Sequence, residues 1–196
     1  MLFYPPRPTK KCPPDNLSAW DDPKYIAQAK LNGSYAVIQL IGSEYIVWNR
    51  LRQHATFQVP DCRHLMKGDT ILCGEILNKA LPDESGMIPT YLALHDILQL
   101  DGEYMYGETY QTRYEALADL CQPDTGDYVL PVSDGIKLIR NFKDHFVREY
   151  CRLSAIDVVE GLVVKKLSAP LRYGTSPDKH TEGMLKFRKP TLNYKL

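Results

Sequence analysis

From Tyr25 onward, apolar residues come in short blocks broken by turn residues. Tyr25–Leu31 and Tyr35–Leu40 are two such blocks, and Asn32-Gly33-Ser34 between them has the composition of a tight turn. Strand, turn and strand are predicted there. Gly42-Ser43-Glu44 predicts the next turn and Tyr45–Trp48 the next strand. Thr70–Leu77 and Thr90–Leu98 read as further strands, with Asp101-Gly102 turning after the second. Two segments carry the helical period instead: Tyr110–Leu120, through Tyr114, Leu117, Ala118 and Cys121, and Asn141–Leu153, through Phe142, Phe146, Tyr150 and Leu153. Gly161–Leu167 and Met184–Arg188 predict two last strands around a loop containing Pro, Gly and Ser. Many short strands with two helices predict an α+β domain and not a parallel βαβ repeat. The start of the chain differs. Five of the 14 prolines fall in the first 14 residues, around Lys10-Lys11, which predicts an extended arm over residues 1–24 lying on a domain of residues 25–196.

Composition narrows the class. With 196 residues, 44% hydrophobic and 24% charged, the chain has the make-up of one ordinary globular domain. A chain of this length buries roughly 70% of its unfolded surface and needs no disulfide or structural metal to fold. Its five cysteines are odd in number and scattered without a Cys-x-x-Cys pair, which argues against a disulfide framework and suits a reducing compartment. Cys62 and His64 are close, but two ligands without a second pair make poor evidence for zinc. No apolar run approaches the roughly 18 residues of a membrane span, and Met1–Pro6 lacks the basic and apolar regions of a secretory signal. A cytoplasmic, monomeric protein with no membrane partner is expected.

Charge changes the picture by its distribution. Lys+Arg and Asp+Glu both number 24, yet residues 137–196 hold 13 Lys/Arg against 6 Asp/Glu. That surplus on the last third suits a local phosphate-binding face. Unevenly spread surface charge would look the same.

The most informative segment is Gln28-Ala29-Lys30-Leu31-Asn32-Gly33. It sets one lysine at the end of an apolar strand, where lost hydration exposes a nucleophilic amine. The glycine that follows admits a phosphate close to the backbone. Alone, the segment is a weak motif whose ordinary explanation is a lysine capping a hairpin turn. Its ordered company is what singles it out: Trp48-Asn49-Arg50, Cys73-Gly74-Glu75-Ile76, Ala93-Leu94-His95-Asp96-Ile97-Leu98, Glu160-Gly161-Leu162-Val163-Val164-Lys165 and Leu185-Lys186-Phe187-Arg188. This series resembles the covalent nucleotidyltransferase superfamily of ATP-dependent DNA ligases, RNA ligases and mRNA capping enzymes. That family's motifs run Lys-x-Asp-Gly, a Gly-Glu strand, an aromatic-Asp strand, Glu-Gly-x-Val-x-Lys and Lys-x-Lys. The resemblance covers about residues 25–190.

It implies an α+β nucleotidyltransferase fold, unrelated to ATP-grasp, whose antiparallel sheets enclose a nucleotide pocket. It also implies ATP with Mg²⁺ or Mn²⁺, and a nucleic-acid substrate. By resemblance, Lys30 is the nucleophile that attacks the α-phosphate and becomes lysyl-AMP. Gln28 reads the adenine edge, for which an amide suits the N6/N7 pair. Asn32 and Gly33 complete the nucleophile motif. Arg50 meets ribose or a substrate phosphate, Glu75 the ribose hydroxyls, and His95 stacks on the purine. Glu160 is the metal-binding carboxylate, Lys186 meets the α-phosphate, and Arg188 replaces that motif's second lysine. Lys165 is expected to help bind the triphosphate. Each has an ordinary alternative: Glu75 as a satisfied buried acid, His95 as a core histidine, Lys186 to Lys189 as a solvated edge.

Two departures shape the substrate expectation. Asn32 stands where most members have Asp, and Tyr35 where DNA ligases and capping enzymes have Arg. Both tilt the reading towards an RNA ligase that seals 5′-phosphate to 3′-hydroxyl ends, ahead of a DNA ligase. Only eight residues follow Arg188, so no OB-fold domain is expected after it. The alternatives are a nucleic-acid-binding module with a degenerate pocket and a capping-type guanylyltransferase.

Overall fold

The computed structural model describes residues 7–56, 59–77, 90–172 and 181–190. Eleven strands and two α-helices follow in chain order: β1 (Pro8–Cys12), β2 (Tyr25–Leu31), β3 (Ser34–Ile41), β4 (Glu44–Trp48), β5 (Thr70–Leu77), β6 (Tyr91–Leu100), β7 (Glu103–Tyr104), α1 (Tyr110–Cys121), β8 (Val129–Ser133), β9 (Ile136–Ile139), α2 (Phe146–Leu153), β10 (Val159–Lys166) and β11 (Thr181–Arg188). They form a four-stranded sheet, β1-β11-β10-β2, and a seven-stranded sheet in which β4-β3-β5-β6-β9-β8 run side by side and β7 pairs with β6. All pairings are antiparallel except β1 with β11 and β6 with β9. The class is α+β, as the strand pattern predicts.

Alternation assigns the faces of the smaller sheet. Ala27, Ala29 and Leu31 of β2, Leu162 and Val164 of β10, and Leu185 and Phe187 of β11 all enter one core. Phe146 and Leu153 of α2, with Leu17 from a 3-10 helix over Pro14–Trp20, cover that face. The larger sheet is covered on its outer face by α1, whose Leu117 and Cys121 join Ile38, Leu72, Ile76, Leu94 and Ile97. Each sheet therefore has its own apolar backing, and the opposite face of the larger one carries a smaller apolar cluster of Val37, Ile71, Cys73 and Leu98 together with the motif residue Glu75.

Three differences from the sequence reading have physical causes. The arm does not simply lie on the domain: from Pro8 it is the edge strand of the smaller sheet, and Leu17 is 1% exposed. Proline is tolerated on an edge, where one side of the strand needs no partner; residues 1–6 lie outside the described residues. The helix expected from Asn141 begins at Phe146. Phe142 is held extended because it exchanges both backbone hydrogen bonds with Ala27, at 2.9 and 2.8 Å. Finally, β8 and β9 form a hairpin, turning at Asp134-Gly135, that the sequence reading passed over.

Candidate functional site

The register of the smaller sheet arranges its inner face as a grid. Lys30 lies opposite Gly161, and Gly161 opposite Arg188; one row further in, Gln28 faces Val163 and Val163 faces Lys186; then Ile26, Lys165 and Met184 align. Directly paired residues share a face, so Lys30 and Arg188 flank the bare backbone of Gly161. The β10–β2 register slips between Val159 and Gly161, leaving Glu160 as an extra, bulged residue. A bulge re-aims a side chain out of strict alternation. Glu160 fills the gap in the row: its Oε2 lies 2.5 Å from Lys30 Nζ and 3.2 Å from Arg188. Gly161 has φ of +139°, and a Cβ there would collide with the Phe187 carbonyl oxygen. The Glu-Gly pair thus works as a unit, the glycine making the bulge that aims the carboxylate.

The turn after Lys30 brings the second sheet to this cluster. The Asn32 amide donates to the Val158 carbonyl at 2.8 Å, which ties the turn to the start of β10. The Gly33 amide donates to Glu75 Oε1 at 3.1 Å. A Cβ on Gly33 would overlap the Ile76 carbonyl oxygen and come within 2.8 Å of Glu75 Cγ. In this structure the glycine is required by the close approach of β5, whereas the sequence reading reserved that space for a phosphate. Burial pushes the Glu75 carboxyl up to about 7, against the opposing pull of Lys30, the Gly33 amide and Arg50, and Glu160 adds to the rise. Arg50 sits exposed in the turn after β4. Lys186 is held below the usual lysine range by burial and then by the charges of Arg188, Lys30 and Arg7, against Glu160. Arg7, at the entry to β1, is a cation of this neighbourhood that the sequence reading did not single out.

Further from Lys30 lies a layer of buried polar side chains. His95 is the extra residue where β6 slips against β5, since Gly74 pairs with Leu94 and Cys73 with Asp96. Its ring lies 5.9 Å from that of Tyr35 at an angle of 41°. Burial, then the charge of Lys165, pushes the imidazole down to about 3, so it presents a neutral ring. Tyr35 therefore packs beside His95. Gln28 is 2% exposed, and its Nε2 donates to the Ile139 carbonyl at 3.2 Å. That spends one amide proton and leaves the other, with Oε1, for a ligand edge.

Lys165 does not lie where a triphosphate ligand of Lys30 would. Its row is four residues along β2 from that of Lys30, roughly 13 Å at the usual strand rise. Its Nζ donates to the His95 carbonyl at 3.3 Å and stands 4.3 Å from the Tyr110 ring centroid. Beneath it, Asp96 and Arg113 form a bidentate pair at 2.8 and 2.9 Å. The sequence reading left Asp96 and Arg113 without a role, although the Asp directly after His95 marked the first of them.

The basic surplus of the last third is partly spent within the fold. Arg152 pairs with Glu149 and Asp127, Arg148 with Glu149, and Lys189 donates to the carbonyls of Ser154 and Ile156. Among the described residues, Lys186 and Arg188 are the members of that surplus near Lys30.

No family model matches this chain, and no curated protein does. Solved structures do. A mycobacterial DNA ligase D complexed with ATP and MES superposes with a TM-score of 0.68 at 14% identity, over 93% of this chain and 59% of that one. The ligase domain of LigD from M. tuberculosis gives 0.69 at 14% identity, over 93% and 58%. A Lig E DNA ligase gives 0.59 at 12% identity, over 94% and 68%. The chain thus spans just under three fifths of the two ligase D chains it resembles. At these identities the likeness is one of fold. The chain has the α+β fold of the ligase nucleotidyltransferase domain, the fold of the superfamily that its motif series resembles.

Proposed function

We propose that this chain is an ATP-dependent polynucleotide ligase that forms lysyl-AMP on Lys30, passes the adenylyl group to a 5′-phosphate, and seals that end to a 3′-hydroxyl. The observation that carries the reading is the Lys30–Glu160–Arg188 row facing Glu75, at the end of a cleft with the ligase nucleotidyltransferase fold. Lys30 Nζ attacks the α-phosphorus, the new N–P bond replacing the bond to the leaving pyrophosphate. A proton leaving the amine passes to Glu160 Oε2, 2.5 Å away. Lys186 and Arg188 offset charge on the equatorial oxygens, the main protein contribution to phosphoryl transfer. Glu75 meets the ribose, and Gln28 and His95 hold the base.

A divalent ion fits this donor set. Among the described residues no three His, Cys, Asp or Glu cluster as a metal site, but Mg²⁺ is commonly bound through one or two carboxylates with substrate phosphates completing its shell. Glu160, with Glu75 near enough to feel its charge, supplies hard oxygens of that kind. Such an ion would supply charge neutralisation at the transferring phosphoryl group.

The test is to incubate the protein with α-labelled ATP and metal and look for label that survives denaturation. Glu160→Gln should slow lysine adenylylation by about a hundredfold while the fold persists, since removing one charge-stabilising group from a transfer site costs on that order. Labelling at the normal rate would make Glu160 structural.

The polynucleotide itself is the finer part of the proposal. Asn32 and Tyr35 support RNA, whereas the DNA ligases among the structural neighbours favour DNA as the second reading. Pre-adenylylated 5′ ends offered without ATP on matched nicks and single strands separate the two. Joining is expected to be faster when the 3′-hydroxyl belongs to ribose, and to weaken steeply with salt as counterions are released. Equal or better joining of all-DNA nicks would establish the second reading. Salt-sensitive binding without any joining would leave a binding module.

A further inference from the structure

The cleft floor is a connected polar layer whose purpose the ligase reading leaves open. The Ile139 carbonyl accepts from Gln28 at 3.2 Å and from the Tyr114 hydroxyl at 2.8 Å. Tyr114 and Tyr110 rings are 6.0 Å apart, and Tyr110 bonds Asn141 through its hydroxyl at 3.1 Å. Over the Tyr110 ring stands the Lys165 ammonium, which is 4% exposed and donates to the carbonyl of His95. His95 itself occupies a bulge, where the sheet does not fix the ring, and its Nδ1 is buried without a hydrogen-bond partner. Only the Lys165 contact ties this bulge across to the smaller sheet through a side chain in the described hydrogen bonds.

We propose that Lys165 is a positioning residue of the base pocket: clamped between the Tyr110 ring and the His95 carbonyl, it holds the His95 bulge, and with it the purine-facing ring, at a fixed distance from the Gln28 strand. This rests on the ligase reading, in which His95 and Gln28 take the base. The titratable and charged groups facing Lys165 are Asp96 and His95 on β6, Cys73 on β5, and Arg113 with Tyr110 on α1. Burial, and secondarily Arg113, pushes the ammonium down to about 8, while Asp96 and Cys73 oppose the fall. His95 is neutral above about 3 and the Cys73 thiol is pushed up to about 12, so neither changes charge between pH 7 and 9. The clamp is charged below about 8 and is lost above it.

The experiment measures binding of adenosine and of ATP by the full chain, with metal withheld, together with the rate of lysine labelling against ATP concentration when metal is present. Lys165→Met should weaken adenosine and ATP alike by about tenfold, the usual worth of a hydrogen bond from a charged group. The labelling KM should rise by the same factor with the saturating rate unchanged, the pattern of lost ground-state binding. In the wild type, adenosine affinity should fall as pH rises through about 8; that step should vanish in the Met variant. Lys165→Arg, charged throughout, should restore binding without the step. The difference between the wild-type and Lys165→Arg pH profiles decides the matter even if the Met variant melts early, because the Glu75 carboxyl, pushed up to about 7, is common to both. Weakened ATP with unchanged adenosine would overturn the proposal, because that is how a triphosphate ligand behaves. So would a fall in the saturating rate at constant KM, or adenosine binding flat from pH 7 to 9. A wild type that forms no lysyl label overturns the ligase reading beneath it; normal labelling with unaltered adenosine binding overturns the role of Lys165 alone.

Discussion

Replacing Lys30 with alanine is expected to remove the covalent nucleotide label altogether, by more than about a thousandfold, because in the proposed reaction Lys30 supplies the attacking amine. The fold should be undisturbed. Lys30 keeps 19% of its side chain exposed, and Glu160 retains Arg188 at 3.2 Å when the lysine is gone. No buried charge is orphaned, so the far-UV spectrum and the melting midpoint should stay close to wild type. Lys30→Arg should also fail to label, since it keeps the ion pair and loses the amine. An alanine variant that still labels would move the nucleophile elsewhere and end the assignment of Lys30.

The largest effect on stability is expected at the other end of the cleft. Arg113 is 1% and Asp96 3% exposed, and the guanidinium also donates to the Glu108 carbonyl at 2.8 Å. Removing one partner of such a pair costs about 3–5 kcal/mol, because the other charge stays desolvated and alone. Arg113→Ala should therefore lose that much in urea unfolding. The pH dependence fixes the cause. Burial alone would raise the Asp96 carboxyl, but Arg113, with Lys165 and His95 adding, holds it below the ordinary carboxylate range. In the wild type this contributes stability above the unfolded-state pKa that is lost as pH falls through the folded one. Without Arg113 burial prevails and the carboxyl rises above its unfolded value. The sign then reverses: Arg113→Ala should be less destabilised near pH 5 than near pH 8. Replacing both partners with apolar residues should recover much of the loss. A single variant that costs under about 1 kcal/mol would show that water reaches the pair.

Much of the architecture was legible from residue pattern. The strands β2, β3 and β5 and the turn at Asn32-Gly33-Ser34 were readable because each strand is a short apolar block bounded by turn residues, β3 and β5 being apolar on both faces. The motif residues Lys30, Glu75, Glu160, Lys186 and Arg188 could be gathered in advance because each sits at a strand position with a recognisable neighbour. What stayed hidden depends on register. The bulges at His95 and Glu160 have no local composition of their own except the glycine at 161. Lys165 looked like another phosphate ligand because spacing along β10 does not say how far a row lies from Lys30. Pro131 obscured β8, although an edge position accommodates it, and prolines likewise disguised β1 as an arm. Arg113 falls on a helix whose apolar period gives no hint that its first turn reaches under a neighbouring sheet.

The order of strands in the two sheets has a consequence for how the protein is made. The larger sheet uses β3 to β9, a continuous stretch in the middle of the chain, whereas the smaller one joins β1 and β2 from its beginning to β10 and β11 from its end. During synthesis the middle layer and its α1 cover can close first, since their partners emerge together. Lys30 is translated early but meets Glu160 and Arg188 more than a hundred residues later. Lys30 gains its acid when β10 leaves the ribosome and its second cation only when β11 follows. The last of the described strands to arrive thus completes both the smaller sheet and the charged row around Lys30.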